Sequence, residues 1–533
     1  MKVILLLFIL SFTSVYTQVS QQWAARYNGP SNNYEIGLCV AVDASGNVYT
    51  AGTEYVANYD FVLIKYDPDG NIIWIRKYNG TGNDADNLRS MILDNSGNII
   101  LTGGSLGTGT GKDCVTIKYD PNGNMLWSQR YNGGLDDEGK KLASDNDGNI
   151  YVCGYKNRAA NNPDYLILKY SPDGIVQWVQ SYNSSSNNQD NTSDIKVDQY
   201  GNVFVTGSSY TTPDFDFLTI KYNSSGVYKW EKRFHGGSGD DFAFSMAIDG
   251  DSNIYVTGKG KGIGTNFDVV TINYSSNGVE KWQKHENGGS NSNDGGNAVA
   301  LDASGNIIVA GTMSYLFSNE DMALIKYDPD GTRLWISTYS GQGNRNDRLD
   351  FVSIDNKGNI YATGTSDSGS IGDLYSFRFD ANGNTQWMYI YNGPANGDEE
   401  TGGITIDEYG QVYLVCTSQG IGTGYDIVTI KNAQTIGITA ISTELPRDFS
   451  LEQNYPNPFN PTSRFRFSIN KSSIVKIEIF NIKGSSCGIL IDRFMTPGKY
   501  EGVLDASRLS SGVYFYKMTA DGHSASRKMI VIK

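Results

Sequence analysis

Carboxylates recur in this chain at a nearly constant step, and two sets of them are spaced to act together. One set stands eight residues before a turn aspartate in each copy of a repeat: Glu35, Asp86, Asp137, Asp190, Asp241, Asp294, Asp347 and Glu399. The other stands five residues before a lysine or its equivalent: Asp60, Asp113, Asp164, Asp216, Asp268, Asp321, Asp373 and Asp426. A ring of such oxygens would bind a hard cation such as Ca²⁺, and a pair of them would serve as acid and base in glycoside cleavage. The competing role is structural, because Asp accepts hydrogen bonds from nearby backbone in turns and loops. Periodicity favours that role, since a requirement met in every copy belongs to the copy. Unit charges ~10 Å apart repel by ~1.7 kcal/mol at an effective dielectric of 20. Buried carboxylates in a ring therefore need hydrogen bonds, lysines or cations to offset them. Beyond Ca²⁺ no cofactor is expected.

Other chemistry is sparse. The three histidines are His235, His285 and His523. The first two are expected in loops, near positions that other copies fill with Asn, and the third lies near the C-terminus. No histidine cluster for zinc and no Ser-His-Asp triad is expected from them. Gly107-Thr108-Gly109-Thr110-Gly111-Lys112 imitates a phosphate loop, but Leu106 stands where the first Gly is needed and Asp113 replaces Ser/Thr. Asp-Pro-Asp-Gly-Asn imitates part of an EF-hand loop without its distal Glu or flanking helices. The five cysteines (Cys39, Cys114, Cys153, Cys416, Cys487) are odd in number and irregular in spacing, so they read as small strand residues.

The elements that carry the carboxylates follow from the repeat. All eight tryptophans lie on one ladder: Trp23, Trp74, Trp127, Trp178, Trp230, Trp282, Trp335 and Trp387. A second ladder is Asp followed three residues later by Gly-Asn, from Asp43 to Asp407, with Ser252 and Gln411 as departures. A third is Ile-Lys-Tyr, as at Ile64-Lys65-Tyr66. One copy reads as four strands: a, Gly37 to Val42; b, Asn47 to Gly52; c, Asp60 to Tyr66; and d, Asn71 to Tyr78 with its Trp. Pro fixes φ and Gly accepts a positive φ in the Asp67-Pro68-Asp69-Gly70 turn between c and d. Four strands in about 50 residues make one blade of a propeller, whose faces only neighbouring blades can cover. The array begins with a lone d strand at Trp23 and ends with a c strand at Ile427 to Lys431. The N-terminal strand is therefore predicted to complete an eighth blade and close the ring.

The repeats resemble the bacterial β-propeller repeat family, with Asp-x-x-Gly-Asn followed by strands such as Asn253-Ile254-Tyr255-Val256-Thr257-Gly258 and Asn202-Val203-Phe204-Val205-Thr206-Gly207. The resemblance covers Trp23 to Lys431 and implies a fold, not a reaction.

After Lys431 the rhythm stops. Residues 432–446 read as a linker. The box Asn454-Tyr455-Pro456-Asn457-Pro458-Phe459-Asn460-Pro461 forbids a helix or a central strand. Alternating strands follow at Val475 to Phe480, Ser511 to Met518 and Lys528 to Lys533, so residues 447–533 are expected to form a small Ig-like β-sandwich. The box, the Phe480-Asn481-Ile482-Lys483-Gly484 turn, Ser511-Gly512-Val513-Tyr514 and the final Lys-Met-x-x-x-Lys together resemble the C-terminal sorting domain of the type IX (Por) secretion system of Bacteroidetes-type bacteria. That resemblance implies passage across the outer membrane, removal of the domain, and release or attachment to surface polysaccharide.

The N-terminus agrees: Met1-Lys2 and the short apolar run Val3 to Phe12 read as a signal peptide over residues 1–17, with the propeller over 18–431. No transmembrane segment is expected in the mature chain. The net charge of −14 argues against nucleic acid. It divides into +6 from Arg447 onward and −20 before it.

The a–b and c–d turns are near copies of each other, whereas the b–c connections differ: Glu54 to Asn58, Ser105 to Lys112, Tyr155 to Pro163, Lys259 to Phe267 and Thr312 to Glu320. Function gathers on variable loops held by a rigid scaffold. The expectation is a secreted or cell-surface binding or scaffold protein with a glycan or protein ligand, partnered with the type IX machinery through its C-terminal domain. The alternative is a secreted carbohydrate-active enzyme, a glycoside hydrolase or lyase, using carboxylates of the variable face.

Overall fold

The computed structural model describes residues 19–159, 162–262, 264–289, 292–315, 319–341, 345–367, 371–434, 439–442, 446–495, 497–506 and 509–533. The expected signal peptide and parts of the expected linker lie outside them. The described residues form strands and turns with no helix. Two compact units separate at Asn432/Ala433.

The first unit is an array of eight four-stranded antiparallel sheets. In blade 1 the strands are a, Glu35–Val42; b, Val48–Tyr55; c, Tyr59–Tyr66; and d, Ile72–Tyr78. Each outruns or trims its expected bounds by up to three residues. In blades 1 and 2 the b–c connections are tight hairpins, because pairing runs on to the tip: Tyr55 faces Tyr59, and Gly107 faces Gly111. The first-ladder carboxylates thus sit at the start of strand a and the second-ladder ones near the start of strand c. Strand a carries a β-bulge in every blade, Gly37/Cys39 in the first, which bends it and sharpens its twist.

Strands b and c are buried almost throughout, and d is half exposed. The apolar core is shared between neighbours: Tyr49 and Phe61 of blade 1 pack with Leu88, Ile99 and Val115 of blade 2. Blade 8 consists of Glu399–Ile406, Val412–Gln419, Tyr425–Gln434 and, as its fourth strand, Val19–Tyr27. Its Val415 and Ile427 pack with Val48 and Val62 of blade 1. The Gly37 amide donates to Thr417 Oγ1 at 3.1 Å, as the Leu88 amide does to Thr53 Oγ1 between blades 1 and 2.

Each tryptophan but the last reaches the c–d turn of the next blade. Trp23 Nε1 donates to the Pro68 carbonyl at 3.0 Å, and Trp178 Nε1 to that of Ser224 at 3.2 Å. Gly70 is required beneath the ring, because its φ is +88° and a Cβ there would stand 2.6 Å from Trp23 Cδ2. Seven indoles are half-buried, while Trp387, facing a blade that has no c–d turn, is 1% exposed.

The second unit contains two four-stranded sheets. One has the order Thr439–Ser442, Gly498–Asp505, Thr462–Ile469, Ser450–Leu451; the other has Ser486–Met495, Ser473–Asn481, Gly512–Ala520, His523–Val531. Phe465 and Phe467 from the first and Ile477, Tyr516 and Met529 from the second share one core. The proline-rich box is latched to the last strand. The Phe459 amide donates to the Ile530 carbonyl, the Ile532 amide to that of Phe459, and the Ile530 amide to Asn457 Oδ1.

Candidate functional site

Register brings the two carboxylate ladders together, one pair per blade. In blade 2 Asp86 of strand a faces Ser105 of strand b, which faces Asp113 of strand c. Arg130 of strand d, Met125–Tyr131, closes the rung. Its Nη1 donates to Asp113 Oδ2 at 2.9 Å and its Nη2 to Ser105 Oγ at 2.6 Å. Arg26 repeats the arrangement in blade 8, with Asp426 at 2.7 Å and Ser418 Oγ at 2.8 Å. Blade 1 differs: its rung is Glu35, Glu54 and Asp60, with Lys77 Nζ 2.6 Å from Glu54.

All eight first-ladder carboxylates are at most 1% exposed. They are held by the backbone of the preceding d–a loop. The amides of Ser184, Gly236, Gly288 and Gly341 donate to Asp190, Asp241, Asp294 and Asp347 at 2.6–2.7 Å, and those of Gly80 and Gly133 donate to Asp86 and Asp137. In several blades the other oxygen is taken from strand b or the residue after it. Lys261 N reaches Asp241 and Ser314 N reaches Asp294 at 2.6 Å, and Ser418 Oγ reaches Glu399 at 2.8 Å. Such a carboxylate staples three segments of backbone. Burial outweighs these bonds and pushes Asp137, Asp241 and Asp294 up to about 6, and Glu35 and Glu399 to about 7.

Accessible chemistry at this end of the blades is aromatic. Tyr34 and Tyr425 meet across the join of blades 1 and 8, ring centroids 4.8 Å apart, and Tyr55 and Tyr59 lie edge to face at 5.1 Å. All four rings are half-buried, and exposed Asp398 and Glu400 lie close to Tyr34 and Tyr425. Across blades 4 and 5, Tyr210, Phe215, Phe242 and Phe267 form a row, with Lys259 Nζ 4.7 Å from the Phe267 centroid. Sequence reasoning missed both groups. Their signal was aromatic residues beside the ladder positions of adjacent blades, which periodicity analysis discards as variation.

The histidines do not gather. His235 follows strand d of blade 4, Tyr228–Phe234, and meets Asp216. His285 lies within strand Glu280–Glu286, not in a loop as expected, at the position that Arg233 fills in blade 4. His523 begins the last strand of the second unit. Cys114, Cys153 and Cys416 are buried strand residues, and Cys487 is exposed. Two cavities, of about 310 and 560 Å³, lie between blades at the opposite, turn end. Among the described residues no helix is long and apolar enough to cross a membrane.

Comparison with known proteins bears on both units. Residues 453–533 match the secretion system C-terminal sorting domain. Residues 126–155 and 232–268 match a beta-propeller repeat, and 303–333 a beta-propeller domain of unknown function. An uncharacterized WD repeat-containing protein of Acanthamoeba polyphaga mimivirus is 26% identical over 215 residues, 40% of this chain. The match spans 12% of that relative's length. Among solved structures, a fungal alcohol oxidase in complex with copper is 12% identical, covering 98% of this chain and all of its own, with a TM-score of 0.38. The beta-propeller domain of the trilobed protease from Pyrococcus furiosus is 10% identical over 74% of this chain and 95% of its own, TM-score 0.38. An ulvan lyase is 11% identical over 78% and 94%, TM-score 0.39. Such distant likenesses transfer no activity. The chain is built of beta-propeller repeats followed by a secretion system C-terminal sorting domain, which marks it for export by the type IX system.

Proposed function

We propose that this exported propeller is a non-catalytic glycan-binding protein, and that its ligand sits on the b–c face where blades 1 and 8 join. The observation that carries this reading is the group of half-buried Tyr34, Tyr55, Tyr59 and Tyr425 beside exposed Asp398 and Glu400. Sugar C–H faces stack on aromatic rings, and carboxylates accept from sugar hydroxyls. The first-ladder carboxylates are engaged in holding loops and are closed to solvent, so their role in this reading is structural. Their raised pKa values favour the carbohydrate-active enzyme as a second reading, but the burial that raises them also keeps a substrate away.

A glycan array probed with the mature chain tests the proposal. At least one glycan should bind, and Tyr425→Ala should weaken it about tenfold or more, in the range of aromatic hot spots. No bound glycan, or binding indifferent to Tyr425→Ala, overturns the reading. Cleaved products in the same incubation would establish the enzyme instead. For export, deletion of residues 449–533 should leave the propeller in the periplasm; normal arrival at the surface or in the medium would contradict the assigned route.

A further inference from the structure

Blade 4 departs from its sister blades at two positions that meet in space. Five residues after the blade tryptophan, six of the eight copies have Asn; blade 4 has His235. Two residues before the second-ladder aspartate, four copies have Asn; only blade 4 has an acid, Asp214. The ordinary role of the first position is visible in blade 5, where Asn287 Nδ2 donates to Asp268 Oδ1 at 3.1 Å. In blade 4 the imidazole takes that place, and a second carboxylate is added.

His235 Nδ1 lies 2.8 Å from Asp216 Oδ1 and 3.7 Å from Asp214 Oδ1, and the three atoms all lie within 4.8 Å of one another. The other oxygen of each carboxylate is already held. The Gly239 amide donates to Asp214 Oδ2 at 2.8 Å. The Thr211 hydroxyl donates to Asp216 Oδ2, with Arg233 Nη1 at 3.7 Å. These bonds aim both Oδ1 atoms at the imidazole. The Asp214 side chain is 9% exposed, and its Oδ1 is buried with no hydrogen-bond donor. A buried carboxylate oxygen left in that state needs a cation or a proton to offset it.

We propose that Asp214 Oδ1, Asp216 Oδ1 and His235 Nδ1 bind a divalent transition-metal ion of the Zn²⁺ class. Imidazole with carboxylates suits such ions and not Ca²⁺, which takes oxygens. Tetrahedral ligands at about 2.0–2.2 Å from zinc stand roughly 3.4 Å apart. The 3.7 Å separation already fits, and the 2.8 Å one must open by about 0.6 Å. His235 is 55% exposed, so its ring can make that shift and leaves the fourth position open to solvent or a ligand oxygen. Arg233 opposes the ion, and nearby Asp240 and Asp241 offset it. The metal would clamp the b–c hairpin tip, Thr211 to Asp214, to the d–a loop that begins at His235.

His235→Asn and Asp214→Asn test this well, because each restores the residue that sister blades carry and so should fold. The full mature chain is stripped with a chelator and titrated with Zn²⁺ against a chromophoric chelator, with melting temperature followed in parallel. The wild type should take up one tightly held equivalent and melt higher with it. Each variant should bind about tenfold or more weakly, as loss of a metal-site group does. Each should melt like the wild type without metal and lose the Zn²⁺-dependent rise. A wild type that takes up no Zn²⁺, or variants that bind and melt with it as the wild type does, would overturn the site. The second result would place adventitious binding elsewhere, as at His285, His523 or Cys487.

Discussion

The two ends of each blade use the same side chain to opposite electrostatic effect. At the turn end Asp43 accepts from the Ser45 and Asn47 amides and from Asn47 Nδ2, at 2.8–2.9 Å, and the motif repeats around the ring. Hydrogen bonds from Asn71 and Asn124 onto the well-solvated Asp67 and Asp120 hold their carboxyls below the usual range. At the b–c end Asp137, Asp241 and Asp294 also accept backbone hydrogen bonds, yet burial pushes them above it. The closed ladder and the a–b turn aspartates recur in every blade, whereas the c–d turn has Ser171, Asn223 and Ser275 in place of Asp; all are structural in this reading. Donors surrounding an open carboxylate stabilise its charge; fewer donors around a closed one leave part of the desolvation uncompensated.

The largest effect should come from the turn end, through the tryptophan seated on it. Trp23→Ala and Trp178→Ala should each lower stability by about 2–4 kcal/mol, at or below the full-burial range because both rings are half exposed. Denaturant unfolding decides. A neutral Trp23→Ala beside a severe Trp178→Ala would mean that the N-terminal strand is not an equal member of its blade. Next comes the closed end. Asp241→Asn turns an acceptor of two backbone amides into a group that can satisfy only one, so it should lose about 2–3 kcal/mol, equally in chelator and in Ca²⁺. Asp67→Asn, at the open end, should stay within about 1 kcal/mol. If Asp241→Asn is neutral without metal and costly only with Ca²⁺, the ladder is a cation ring and the contrast between the ends fails.

The same contrast sets the pH profile. Unfolded Asp and Glu titrate near 3.9 and 4.3. The closed carboxylates titrate at about 6–7 when folded, so the folded chain holds more protons between those limits. Their contribution is complete below about pH 4 and is lost as pH rises through 6–7. Asp67 and Asp120, lowered in the fold, contribute above their unfolded pKa and lose that contribution as pH falls through the folded value. Melting temperature should therefore decline from pH 5 to 8, less steeply in Asp241→Asn; a flat or rising curve would contradict the burial of the ladder.

Much of this architecture is legible in the sequence because it repeats. The tryptophan ladder, the Asp-x-x-Gly-Asn turns and the motif phase state blade number and strand order, and the Pro-rich box marks the second unit. Strands Thr462–Ile469, Ser486–Met495 and Gly498–Asp505 are not among those expected from the sequence, although Thr462–Ile469 alternates cleanly, with Phe465 and Phe467 buried and Arg464 and Arg466 exposed. The half-burial of the tryptophans is not legible in the ladder, because it arises where an indole lies on the rim of the next blade's turn and keeps one side open. The candidate sites were invisible for a related reason. Tyr34 meets Tyr425 from opposite ends of the propeller segment, and Asp214 meets His235 within one blade, both through departures from the repeat. Spacing analysis measures what copies share and discards such departures.

The seam between the first strand and the last blade also orders events in time. Arg26 and Asp426 are separated by 400 residues of chain, against about 50 between neighbouring blades. Three doublings of loop length add about 1.8 kcal/mol of closure entropy. Strand Val19–Tyr27 must therefore wait for strand Tyr425–Gln434, the last of the propeller, and until then two sheet edges stay open. A propeller whose clasp is formed by its two ends stays unfinished until they meet, and the Arg26 clamp onto Asp426 and Ser418 offsets the closure entropy once both are present.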